Sequence, residues 1–155
     1  MLDVRSAEYV IYYVKMVDFM KHIDLWNRFI EEIYNSFLDN KDKTISNEKK
    51  QAIIAFAYDS EVNSGGYITF FDTFGKIFSI DKVSEALELI GGEKFASNFL
   101  SAASHIRYNN DLGYIDTNED TDSDPIEDFV YYEMKPALPD LLEIYIFDNK
   151  GKIFN

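Results

Sequence analysis

Residues 61–71 read Glu-Val-Asn-Ser-Gly-Gly-Tyr-Ile-Thr-Phe-Phe, and the fold is predicted outward from this stretch. The pair Gly65-Gly66 is expected to end the helix before it, because glycine adopts the left-handed conformation of a helix C-terminus at little cost. Either Asn63 or Ser64 is expected to cap the next helix. The large side chains that follow are expected in the core, namely Tyr67, Phe70 and Phe71. A second interpretation places a functional pocket here, with Glu61 and Asn63 at its floor.

Apolar residues on both sides of this motif recur three and four positions apart, which is the spacing of one helix face. Polar caps, prolines and glycines mark where the helices start and stop. The predicted helices run from Asp24 to about Asp39, from Ser46 to Gly65-Gly66, from about Asp81 to Ile90, from Glu93 to Ile106, from Asp124-Pro125 onward, and from Pro139 to Gly151. Residues 7–20 fit a helix or a strand. We therefore predict an all-α fold, a single compact domain of six or seven helices over residues 1–155.

The same spacing predicts which side chains form the core. They are Trp26, Phe29, Ile30, Ile33, Phe37 and Leu38 in the first helix, Ile53, Ile54, Phe56, Ala57 and Val62 in the second, Phe95, Ala96, Phe99, Leu100, Ala103 and Ile106 in the fourth, Phe129, Val130 and Tyr132 in the fifth, and Leu141, Leu142, Tyr145 and Ile146 in the last. Hydrophobic residues make up 46% of the chain, which supplies such a core and excludes a disordered protein.

The charge of the chain limits the partners that it can bind. Twenty-eight acids against fifteen bases give a net charge of −13. Direct binding to nucleic acid or to an anionic membrane needs lysines and arginines to neutralise phosphates, so the charge argues against both. Two interpretations stay open: the acids serve solubility alone, or they engage a basic partner. With no basic leader and no apolar run of membrane-spanning length, we expect a cytoplasmic protein without a membrane segment.

The acids are densest around residues 109–124, which form the one long predicted loop. From Asp111 to Glu133 there are nine acids and no lysine or arginine. The candidate partner-binding residues are Asp116, Glu119, Asp120, Asp122, Asp124, Glu127 and Asp128. A solvated loop is the alternative. The carboxylates also follow the ligand spacing of an EF-hand calcium loop, but Thr121 stands where the turn needs glycine, so no metal site is predicted.

Motifs for catalysis are absent from the sequence. The chain has no cysteine, which excludes thiolate nucleophiles, zinc–thiolate sites and disulfides. Its two histidines, His22 and His105, stand in no recognisable nucleophile or metal motif, and no phosphate-binding glycine pattern occurs. We therefore predict no catalytic residue and no cofactor.

The motif resembles that of a family of bacterial acidic proteins typified by a DNA mimic that inhibits a helix-turn-helix repressor. The family pattern is Glu-x-x-Asn-Gly-Gly-Phe-x-Gln-Phe-Phe, followed by a glycine turn and a helix ending Leu-x-x-Ile-Gly-Ala. The matching motif residues here are Glu61, Asn63, Gly65, Gly66, Phe70 and Phe71. Residues 87–92 and the pair Trp26-Asn27 fit as well, so the resemblance covers about 24–148. Thr69 replaces the family's glutamine. The resemblance implies an all-α fold whose surface acids imitate the phosphates of a duplex.

Three functions follow from these observations. The first is a non-enzymatic acidic module that binds a basic or DNA-binding protein, as a DNA mimic does. The alternative is an immunity protein or antitoxin that neutralises a basic toxin. The third is an enzyme with a carboxylate and amide site near Glu61 and Asn63. A homodimer is compatible with each of them.

Overall fold

Seven helices and one short pair of strands form the described part of the chain, which in this computed structural model comprises residues 16, 20–39, 45–106, 108–109, 114–115 and 125–155. Helix α1 has α geometry over residues 20–28, π geometry over Phe29–Tyr34 and α geometry again over Asn35–Leu38. The others are α2 (Asn47–Phe74), α3 (Ile80–Leu89), α4 (Glu93–His105), α5 (Ile126–Glu133), α6 (Leu138–Asp148) and α7 (Lys150–Ile153). Strands β1 (Tyr108–Asn109) and β2 (Tyr114–Ile115) pair antiparallel. The all-α prediction is confirmed.

Several predicted helix ends are confirmed by the atoms that form them. The side chain of Ser46 accepts a hydrogen bond from the Lys49 amide at 3.1 Å and so caps α2. Gly91, with a φ of +88°, follows α3 at the predicted stop, and Pro139 lies in the first turn of α6. Residues 7–20, which fit a helix or a strand, lie outside the described residues, apart from positions 16 and 20, which are helical.

Three predicted boundaries are wrong. Helix α1 is already helical at residue 20, so Asp24 lies within it rather than at its start. Pro125 has an extended backbone and precedes α5, whose first helical residue is Ile126. Gly151 lies inside α7 and its φ is not positive, so it does not end the last helix.

Helix α2 is the centre of the fold, since it contacts each of the other six helices. Its aromatic residues pack edge to face around Phe99 of α4. The ring centroids of Tyr58 and Phe99 are 5.7 Å apart at 89°, and those of Phe70 and Phe99 are 5.8 Å apart at 87°. Tyr67, Phe70 and Phe71 are all buried, so the prediction that they belong to the core is confirmed. Among the described helices, none combines the length and the apolar character needed to cross a membrane.

Five side chains predicted to be in the core are exposed. Leu38, the last residue of α1, is 54% exposed. Leu100 follows the buried Phe99 and points elsewhere, because successive helical residues are turned by about 100°. The prediction of the buried face is least accurate for helix α5. It exposes Phe129, Val130 and Tyr132, and it buries the residues Glu127, Asp128 and Tyr131.

Candidate functional site

The break in α2 lies at the glycine pair, as predicted, but the helix resumes at once on its far side. Gly65 has φ −160° and ψ 21°, and Gly66 has φ +76° and ψ −174°, so neither residue is helical. Thr69, which replaces the family's glutamine, donates its hydroxyl to the Gly65 carbonyl at 2.7 Å. This bond ties the resumed helix to the backbone at the break.

The helix that resumes after the break is capped by Asp128, which lies on α5 and 61 residues further along the chain. The Tyr67 amide donates to Asp128 Oδ1 at 2.9 Å. A carboxylate at the N-terminus of a helical segment satisfies a free amide and interacts favourably with the helix dipole. The prediction that Asn63 or Ser64 caps this segment is wrong. Gly66 is required here twice, because its φ is positive and because a Cβ would lie 2.1 Å from Asp128 Oδ2.

A chain of buried polar groups continues from Tyr67 to α4. The hydroxyl oxygens of Tyr67 and Tyr58 are 2.6 Å apart, and Asn98 Nδ2 donates to the Tyr67 hydroxyl at 2.7 Å. The same amide nitrogen donates to the Glu127 backbone carbonyl at 3.0 Å. Burial raises the pKa of both tyrosines, so the two phenols stay neutral. These bonds join α2, α4 and α5 at the motif.

The predicted site residue Asn63 connects α2 to Tyr131 of α5. Its Nδ2 donates to the Asp59 backbone carbonyl at 2.8 Å and to the Tyr131 hydroxyl at 3.0 Å. The Tyr131 hydroxyl in turn donates to Asp59 Oδ1. Burial raises the pKa of Asp59, and the hydrogen bonds from Tyr131 and Asn63 oppose that rise without cancelling it. Burial, followed by the neighbouring Asp59, raises the pKa of Tyr131.

A cleft of about 200 Å³ opens beside these groups, and we call it the Asp59 cleft. Its lining residues come from α2, from the start of α4 and from the segment that joins α5 to α6. They are Asp59, Asn63, Phe95, Tyr131, Tyr132, Met134, Lys135, Ala137, Leu138 and Pro139. The cleft thus combines one carboxylate, one amide and one ammonium group with aromatic and aliphatic walls.

Glu61, the carboxylate that the sequence placed at a pocket floor, does not line this cleft. It is half-buried on α2 and accepts a hydrogen bond from the Thr73 hydroxyl at 3.2 Å. The carboxylate beside Asn63 is instead that of Asp59. Sequence reasoning missed Asp59 and Tyr131. The spacing of Asp59 and Asn63, one helical turn apart, is a signal that could have found the first of them.

Two of the predicted partner-binding acids, Glu127 and Asp128, point into the protein. Asp128 accepts a hydrogen bond from the Tyr67 amide, and Glu127 accepts one from the Ser101 hydroxyl at 2.7 Å. Glu127 also lies 3.2 Å from Nδ1 of His105. Burial works to raise the pKa of Glu127, but the bonds from Ser101, from its own backbone and from His105 together lower it. These two acids are therefore not part of an exposed acidic surface, which corrects the prediction.

The remaining predicted partner-binding acids lie outside the described residues, and so does most of the stretch with calcium-loop spacing. They are Asp116, Glu119, Asp120, Asp122 and Asp124. Within the described ranges, no group of three or more acids and histidines is arranged to hold a metal ion. Exposed carboxylates occur on every long helix, and they include Asp24, Glu31, Asp72, Glu85, Glu93, Glu133 and Asp140.

Comparisons with known proteins give one match. A family model described as DMP19-like protein matches residues 43–149. These residues contain the motif, the break in α2 and every residue that lines the Asp59 cleft. Neither the curated proteins nor the solved structures contain a match to the chain.

Proposed function

Because the chain belongs to the DMP19-like protein family, we propose that it is a non-enzymatic acidic module that binds a basic surface of another protein. A DNA-binding protein is the partner that fits best, since it already presents a surface built to accept phosphates. The observation that carries the proposal is the net charge of −13, together with the base-free run from Asp111 to Glu133, which has seven acids besides the inward-pointing Glu127 and Asp128.

The positions of the motif residues support a binding role over a catalytic one. Gly66, Phe70 and Phe71 serve the break in α2 and the core behind it. Asn63 is fully engaged at its amide nitrogen, and the carboxylate of Glu61 is held by Thr73. The motif therefore builds the scaffold, and the surface of that scaffold is left to carry the function.

Electrostatics give this proposal a physical consequence. The seven acids of this run other than Glu127 and Asp128 are like charges close together in the sequence, so they repel one another, and a basic partner relieves that repulsion. Such binding is fast at low salt and weakens as salt rises, because the Debye length shortens to about 8 Å at physiological ionic strength. The same dependence is characteristic of DNA binding to the partner.

The experiment uses site-specific photo-crosslinking in cells, followed by measurement on purified proteins. A photoreactive phenylalanine analogue replaces Phe129, which is 65% exposed on α5 and lies within the base-free run from Asp111 to Glu133. The control carries the same group at Leu89, which is 52% exposed on α3. We expect a basic protein crosslinked from position 129 and not from 89, with an affinity that falls steeply between low and high ionic strength. A partner whose affinity does not change with salt would contradict the proposal.

A further inference from the structure

We propose that the Asp59 cleft receives one arginine side chain of the basic partner. The assignment rests on the proposed function, because it specifies how the partner is held once the acidic surface has attracted it. Long-range charge gives speed, whereas a cleft of defined shape gives a fixed orientation and a slow dissociation.

The carboxylate of Asp59 is positioned to accept a cation. Its Oδ1 accepts the Tyr131 hydroxyl, and its second oxygen, Oδ2, takes no part in that bond. Asn63, one helical turn after Asp59, also bonds to the Tyr131 hydroxyl, at 3.0 Å. A guanidinium has several donors in one plane, so it can bond to Oδ2 while Tyr131 keeps its own bond. Burial raises the pKa of this carboxylate, and a bound cation would compensate for that burial.

The walls of the cleft suit the rest of an arginine side chain. The ring centroids of Tyr131 and Tyr132 are 5.5 Å apart at 82°, and those of Tyr131 and Phe95 are 5.6 Å apart at 68°. Ring faces turned in different directions let a cation lie against one of them. Met134 and Leu138 provide apolar surface for the aliphatic part of the chain.

The volume of the cleft is suited to one side chain rather than to a whole ligand. Its volume is about 200 Å³, whereas pockets for drug-sized ligands and cofactors measure roughly 300–1,000 Å³. Arginine is also among the residues most enriched at the energetic centres of interfaces. The cleft is therefore matched to an anchor residue of a protein partner.

Lys135 is the one base in the lining, and it provides an internal test. It is exposed and makes no ion pair with any described carboxylate, so its charge is largely screened by solvent. It nevertheless opposes a second cation. Replacing it with methionine, which has similar length and no charge, should strengthen arginine binding.

The first experiment titrates the intact protein with N-acetyl-arginine amide and follows backbone amide shifts by NMR. The matched probe is the corresponding citrulline derivative, which has the same shape and no charge. We expect saturable shifts around Asp59, Tyr131 and Leu138 with a dissociation constant on the order of 1 mM, as suits a ligand of this size. Shifts of equal size with citrulline, or shifts spread over all surface acids, would overturn the assignment.

Two variants with the same change in net charge locate the effect. Asp59→Asn keeps an oxygen that can accept the Tyr131 hydroxyl, so the fold should persist, and a thermal melt checks this. Asp81→Asn removes an exposed carboxylate at the start of α3. Arginine binding should weaken at least tenfold in Asp59→Asn and stay within twofold of wild type in Asp81→Asn, while Lys135→Met tightens it. Equal losses in the two aspartate variants would overturn the proposal.

The partner obtained by crosslinking then separates this inference from the proposed function. If both hold, Asp59→Asn lowers the affinity for the partner far more than Asp81→Asn does, and added salt lowers all of the affinities. If the affinity falls with salt but the two variants are indistinguishable, the cleft assignment fails and the acidic module stands. If salt has no effect, the proposed function itself fails.

Discussion

Replacing Gly66 with alanine perturbs the break in α2 in two ways that can be measured separately. The first is the backbone. Gly66 has φ +76° and ψ −174°, a backbone conformation that is strongly disfavoured for any residue with a side chain. Holding alanine there costs about 1–3 kcal/mol of folding free energy.

The second perturbation is a collision with the residue that caps the resumed helix. An added Cβ would lie 2.1 Å from Asp128 Oδ2 and 2.8 Å from its carboxyl carbon. The carboxylate must then move away from the Tyr67 amide, to which it is bonded at 2.9 Å. Losing a cap of this kind costs about 0.5–2 kcal/mol. Together the two effects lower the free energy of unfolding by roughly 1.5–5 kcal/mol, a large share of the roughly 5–15 kcal/mol of an average domain.

The assay is equilibrium urea unfolding followed by circular dichroism, with Gly91→Ala as the matched control. Gly91 also has a positive φ, of +88°, but an added Cβ there meets no atom within 4 Å. Gly91→Ala should therefore lose only the backbone contribution. In an Asp128→Ala background the extra loss of Gly66→Ala should disappear, because the collision and the cap are already gone. Equal losses for Gly66→Ala and Gly91→Ala would refute the capping role of Asp128.

Three further predictions concern other parts of the same region. Phe70→Ala should lower the unfolding free energy by about 3–5 kcal/mol because its ring is buried against Tyr58 and Phe99; a thermal melt like that of wild type would contradict this. The pKa of Glu127 is lowered from 4.5 by folding, so the wild type should lose more stability than Glu127→Gln as the pH falls below that value. Urea unfolding of both proteins across this pH range measures the losses, and equal losses would contradict the prediction. Burial raises the pKa of Asp59 above 3.8, so ionisation destabilises the fold as the pH rises past that value, and Asp59→Asn should match or exceed the wild-type melting temperature at neutral pH; a lower melting temperature would contradict this.

The elements that the sequence predicted well are those defined by local physics. The side chain of Ser46 caps α2 by accepting a hydrogen bond from the backbone amide three residues later. Gly91, which has a positive φ, follows the end of α3. The apolar faces of α2 and α4 follow helical spacing because one side of each helix meets the core. Such signals need only neighbouring residues, so they can be read from the chain itself.

Helix α5 could not be predicted in this way, because its orientation depends on a contact across 61 residues. Its apolar positions Phe129 and Val130 suggested an inward face, yet the Tyr67 amide at the helix break needs an acceptor and Asp128 provides it. Tyr131 follows Asp128 inward and bonds to Asp59 and Asn63. The candidate cleft was missed for the same reason, since it exists only once α5 packs against α2.

The most direct test of the proposed function is a competition between this protein and DNA for the crosslinked partner. A fluorescent DNA duplex is bound to the purified partner, and the acidic protein is added at low and at high ionic strength while fluorescence anisotropy is measured. We predict that the duplex is displaced completely at low ionic strength, and that the affinity of the acidic protein for the partner, measured without DNA, falls as salt rises. A ternary complex that retains the duplex, or an affinity that salt leaves unchanged, would contradict the proposal that the acids of this chain occupy a basic surface.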